Sequence, residues 1–109
     1  MSATFSVKDV SLATRERADE IIDEVLKFVE AKRPEHLDLD LGQVHVISPS
    51  FASGLIDEIQ WLLTRPGVGV KQVRIITTSP LVRGKINDAL MRHMSHTSKP
   101  RSLSKVLVN

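Results

Sequence analysis

The sequence predicts an α/β domain, a mixed and partly parallel β-sheet packed with about three helices. Three observations carry this. Segments with helical spacing of apolar residues alternate with short segments of β-formers. The dipeptide Ser-Pro, a helix cap followed by a first-turn proline, occurs at Ser48-Pro49 and again at Ser79-Pro80, each time after an apolar run. The 109 residues, 41% of them hydrophobic, suffice for one moderate core and leave no room for a second.

In chain order, Thr4 to Val10 is β-compatible and forms a first strand. Ser11 to Arg33 is the clearest helix: Ala18, Ile21, Ile22, Val25, Leu26 and Val29 share one face, with Asp19, Asp23, Lys27 and Glu30 opposite. Ser11 or Thr14 caps it and Pro34 stops it. Leu37, Leu39 and Leu41 alternate with Asp38 and Asp40, and Val44, Val46 and Ile47 follow, giving a strand or a strand pair broken near Gly42-Gln43. A second helix starts at Ser48 or Pro49 and ends before Pro66-Gly67. KQVRIITT holds a strand centred on Val73, Ile75 and Ile76, and Leu81 to Met94 forms a third helix. Residues 1–96 make the domain, and 97–109 are a basic C-terminal tail whose KVLVN end can add a short strand. In such a layer the loops at the strand C-termini are where function gathers, and the turn before the second helix is one of them.

Composition excludes several classes. No cysteine is present, so disulfides, thiolate metal sites and cysteine nucleophiles are out, and a cytoplasmic setting is expected. The start of the chain lacks the pattern of a signal peptide, and no apolar stretch has membrane-spanning length. Charge is uneven: residues 1–40 hold ten acids against six Lys and Arg, whereas 83–109 hold only Asp88 against six. The basic tail, with Lys99, Arg101 and Lys105, supports a second reading, a small nucleic-acid-binding accessory held by phosphate contacts. Aromatic content of 4% with no tyrosine leaves little for base stacking, which disfavours nucleic acid as partner.

The stretch VISPSFASGL, residues 46–55, carries the candidate site. Ser48 suits the cap, and Ser53 is a first-turn residue pointing between the helix faces. Ser50 is the candidate phosphoacceptor: phosphate in the first turn meets unpaired backbone N–H groups and the positive end of the dipole. Phe51, Leu55, Ile59 and Leu62 form the apolar stripe of this helix. Ser50, Gly54, Asp57 and Trp61 share the opposite line, so the only tryptophan falls in register with the candidate switch. A partner-binding surface of Ser48, Ser50, Gly54, Asp57 and Trp61 follows, with Trp61 as anchor against a protein partner, a second copy of the chain or the tail. No cofactor and no metal site is expected. His93 and His96 lack a third ligand, Asp38 and Asp40 lack a phosphotransferase pattern, and SFASG lacks the glycine-flanked elbow of a serine hydrolase.

LDLDLGQVHVISPSFASGL, residues 37–55, resembles the core of STAS domains, the family named for sulfate transporters and anti-sigma factor antagonists. Within it the likeness is to STAS-like domains of unknown function, whose helix begins with a serine-Phe-Ala run and whose early helix opens with an arginine, as LATRERADEII does at Arg15. The resemblance spans residues 5–95. It implies a non-enzymatic signalling module with a protein partner, a histidine-kinase-like ATPase of the anti-sigma type, which phosphorylates a hydroxyl in the turn. A gap-free overlay puts Ser50 at that hydroxyl. Ser48 stands where the family motif has aspartate, and Phe51 where it has glycine.

Overall fold

The computed structural model describes residues 2–65, 67–96 and 105–109. The chain runs β1 (Ser2–Ser6), β2 (Ser11–Leu12), α1 (Arg15–Lys32), β3 (His36–Asp40), β4 (Val46–Ile47), α2 (Pro49–Thr64), β5 (Gln72–Ile76), α3 (Pro80–His96) and β6 (Val106–Val108). The α/β class is as the sequence predicts.

β1, β3, β5 and β6 form one sheet in that order, and β2 pairs with β4 in a separate two-stranded ribbon. Every pairing is parallel, so the sheet is more uniform than the mixed one expected. The alternation Leu37-Asp38-Leu39-Asp40 ordinarily signals an antiparallel, half-wet sheet. Here it has another cause. Each new strand is added on the same side of the last, so right-handed crossovers stack all three helices on one face. Leu37, Leu39, Val73 and Ile75 point into that helical layer, and Asp38, Asp40, Arg74 and Ile76 line the opposite face, which no described helix covers. On it Arg74 grips Asp38 with two hydrogen bonds of 3.2 and 2.8 Å.

α2 lies in the middle of the layer, packed against α1 on one side and α3 on the other. Its Phe51, Ala52, Leu55, Ile56, Ile59 and Leu62 are all buried, which makes it the core helix. α1 contributes Ala18, Ile21, Ile22, Val25 and Val29, and its Phe28 meets Phe5 of β1 edge-to-face with centroids 5.6 Å apart.

The first strand is shorter than predicted and the first helix starts later. Val10 turns the chain into β2, Thr14 rather than Ser11 caps α1 by accepting from Arg17 N, and Asp9 is drawn out of the strand by Arg17, whose Nε and Nη2 both reach it at 2.9 Å. That pair holds the Asp9 carboxyl below its ordinary range, chiefly through the hydrogen bonds from Arg17. α1 ends at Arg33, left-handed at φ 50° with its N–H on Val29 O, and Pro34 follows. Of the tail, residues 97–104 lie outside the described residues. Val106–Val108 do add the short strand, at the edge beside β5, with Val106 buried.

Candidate functional site

The turn before α2 is built as its residue types require. Ser48 is the cap: its Oγ accepts from Phe51 N at 3.0 Å and donates to Ala13 O at 2.6 Å, tying the start of α2 to the approach to α1. Pro49 takes the first helical position, where a missing N–H costs nothing. Ser50 is exposed, and its side chain makes no hydrogen bond to a described residue.

The segments that adjoin the start of α2 expose apolar side chains that the sequence did not signal. Val46, in the strand that leads into α2, is 57% exposed, and Val10 beside it is also exposed, its carbonyl accepting from His45 N and Val46 N. On α3, Lys85 Nζ donates to Ile47 O at 2.8 Å, which brings an ammonium to the α2 N-terminus. Leu81, one turn earlier on that line of α3, is exposed too. Val10, Val46 and Leu81 are thus exposed on the segments that adjoin the start of α2, where Ser50 is exposed too.

The rest of the expected outward line divides. Gly54 is not on an exposed surface; it is buried against α1, where an added Cβ would lie 3.0 Å from Arg15 Cγ and 3.4 Å from Ala18 Cβ. The small residue does leave the backbone approachable, and the element that approaches is α1. Asp57 is half exposed but engaged, as described below. Trp61 is 42% exposed at the far end of the helix, with the Arg65 guanidinium 4.9 Å from the ring centroid.

Two features escaped sequence reasoning. The first is a closed ring of four side chains from all three helices. Arg15 Nη1 donates to Asp57 Oδ2 at 2.9 Å and Nη2 to Ser53 Oγ at 3.1 Å. Ser53 Oγ lies 3.0 Å from His93 Nε2, and His93 Nδ1 lies 3.0 Å from Asp57 Oδ1. Arg15 and Asp57 are 55% and 46% exposed at the side chain, whereas His93 is only 18%. The signal available was the Ser53, Asp57 pair, four apart and therefore stacked on one side of α2, together with a histidine on the apolar line Val82, Ile86, Ala89 of α3 that needed a partner.

The second is an acidic cluster between α1 and α2. Glu58 hydrogen-bonds Asp19, and that shared proton, partial burial and the negative charges of Asp19, Asp23 and Asp57 raise its pKa from 4.5 to about 7. No group of three or more acidic or histidine side chains among the described residues is arranged to hold a metal ion. Asp38 is committed to Arg74, and Asp40 Oδ1 accepts from Gly42 N at 2.8 Å. No described helix is long and apolar enough to cross a membrane.

Fold and site together define a two-layer, all-parallel α/β module with an exposed serine in the first turn of its central helix and a polar ring joining all three helices. Comparison with protein-family models, with curated proteins and with solved structures gave no match.

Proposed function

We propose that this chain is a STAS-like regulatory module that works by binding a protein partner through the rim around the start of α2. The observation that carries the reading is Ser50, a hydroxyl in the first turn of the core helix that is exposed and makes no hydrogen bond to a described residue, a few positions after the exposed Val46. Apolar side chains at a rim supply the desolvation energy of docking, and a serine among them supplies a means of abolishing it. Phosphate on Ser50 would be favoured by the helix terminus, so the modified helix stays folded while the docking surface gains about two negative charges. By resemblance the partner is a histidine-kinase-like ATPase of the anti-sigma type, acting on Ser50 and binding the same rim. Trp61, about 16 Å along the helix at 1.5 Å per residue, is a second anchor for that partner or for another copy of the chain.

Affinity capture from the source cell, with mass spectrometry of the prey and of the peptide carrying Ser50, tests this. Ser50→Glu should release a partner that Ser50→Ala retains, and Val46→Asp should release it without any modification. Equal capture by all three variants would refute the rim. Trp61→Ala should stay folded and weaken capture.

A further inference from the structure

The ring around Ser53 has only one self-consistent pattern of protons when the imidazole is neutral, and Arg15 dictates it. A guanidinium has donors and no acceptor, so Asp57 Oδ2 and Ser53 Oγ both accept from it. Ser53 then has its single proton free for His93 Nε2, which accepts through its lone pair. The remaining imidazole proton sits on Nδ1 and goes to Asp57 Oδ1. Serine donates to Nε2, Nδ1–H donates to carboxylate, and the carboxylate fixes the tautomer, which is the order of groups that activates a serine nucleophile on otherwise unrelated folds. A helix tie alone would be met by the Arg15–Asp57 pair, and half-exposed pairs of that kind add little stability. Ser53 makes both of its side-chain hydrogen bonds within the ring and none to its own helix, so its hydroxyl is aimed by the neighbouring helices.

We infer that Ser53 is the nucleophile of an acyl-transfer site, with His93 as general base, Asp57 as the group that orients it, and Arg15 as the cation that receives the developing oxyanion. Ser53 Oγ attacks the carbonyl carbon of an ester, and its proton passes to His93 Nε2. The carbonyl oxygen takes the negative charge beside Arg15 Nη2, which replaces the backbone donors that a helical serine, with its neighbouring N–H groups committed to the helix, does not have. Collapse expels the alcohol, which leaves with the proton from His93, and an acyl-Ser53 ester remains. Water attacks that ester by the same route, the acid leaves, and Ser53 recovers its proton. Arg15 and Asp57 are about half exposed, so the acyl donor arrives across open surface. The class it fits is a small ester with a good leaving group, such as an acetyl ester, and not a long acyl chain.

The test uses the whole chain with p-nitrophenyl acetate as the probe. Wild type should release an initial burst of p-nitrophenolate, with acetyl on the peptide carrying Ser53. Ser53→Ala should lose that burst and label, and His93→Gln should acylate roughly 100-fold more slowly, the usual contribution of a general base. Circular dichroism of each variant separates lost chemistry from lost fold. If either variant unfolds, the wild type still decides: a fluorophosphonate should label Ser53 in buffer and not in urea. Acetylation of lysines alone, an unchanged burst in Ser53→Ala, a folded His93→Gln that acylates at the wild-type rate, or no fluorophosphonate on Ser53 would each overturn the assignment and leave the ring as a tie between helices.

Discussion

Replacing Glu58 by glutamine should stabilise the protein, and only at neutral pH and above. Glu58 shares a proton with Asp19 between α1 and α2, with Asp23 and Asp57 nearby, and its pKa stands at about 7 against 4.5 for a free glutamate. Below about pH 4.5 the carboxyl is protonated in both folded and unfolded chains and adds no pH dependence. Between about 4.5 and 7 the folded chain keeps a proton that the unfolded chain releases, so native stability falls as pH rises. Above about 7 both forms are ionised, and the folded protein carries the whole repulsion. The gap corresponds to about 3.4 kcal/mol at about 1.36 kcal/mol per pH unit. Glu58 is partly open to water, which screens the repulsion and reduces the expected effect to about 1–2 kcal/mol. A glutamine amide keeps a donor for Asp19 without the charge. Urea unfolding followed by circular dichroism should therefore find Glu58→Gln equal to wild type near pH 4 and about 1–2 kcal/mol more stable at pH 8, with Tm higher by roughly 4–8 °C for each kcal/mol. A difference that does not change with pH, or a less stable variant at pH 8, would refute the shared proton.

Other substitutions probe the positions on which the site depends. Ser48→Ala removes the cap of α2 and its tie to Ala13 O, and should cost about 0.5–2 kcal/mol in the same assay, whereas Ser50→Ala should stay within about 0.5 kcal/mol. Gly54→Leu forces a side chain into the space occupied by Arg15 Cγ and Ala18 Cβ and should cost about 1–3 kcal/mol; a neutral result would mean that α1 does not pack so closely there. Arg17→Met should reduce stability by about 1 kcal/mol or less, because both partners of the Asp9 pair are partly exposed. Arg17 lowers the Asp9 pKa, so its contribution is present above about pH 4 and fades as acid protonates the carboxyl. The variant and wild type should converge as the pH falls through the lowered Asp9 pKa.

Local chemistry made the elements legible, and non-local packing hid the ring. Ser48-Pro49 and the apolar stripe located α2 because caps and helical spacing act within a few residues. The polar line Ser50, Gly54, Asp57, Trp61 follows from the spacing of one helix and carries nothing about its neighbours. Gly54 proved to be the place where α1 crosses, and Asp57 was taken up by Arg15, 42 positions earlier, and by His93. Ser53, which points between the faces of α2, points to where α1 and α3 both arrive. The strand directions were only partly legible for a related reason: alternation within β3 reports that one face is wet, and leaves open whether neighbouring strands run the same way.

The sheet face opposite the helices has a consequence for how this chain can vary. In a parallel sheet clad on both sides, strands are apolar throughout, and a slip of one position exchanges one aliphatic residue for another. Here a single-residue insertion in β3 would turn Asp38 and Asp40 into the helical layer and put Leu37 and Leu39 in water. Insertions within these strands are therefore tolerable only in pairs, while the turn at Gly42-Gln43 is indifferent to parity. The fold carries its own reading frame, enforced by burial instead of by codons.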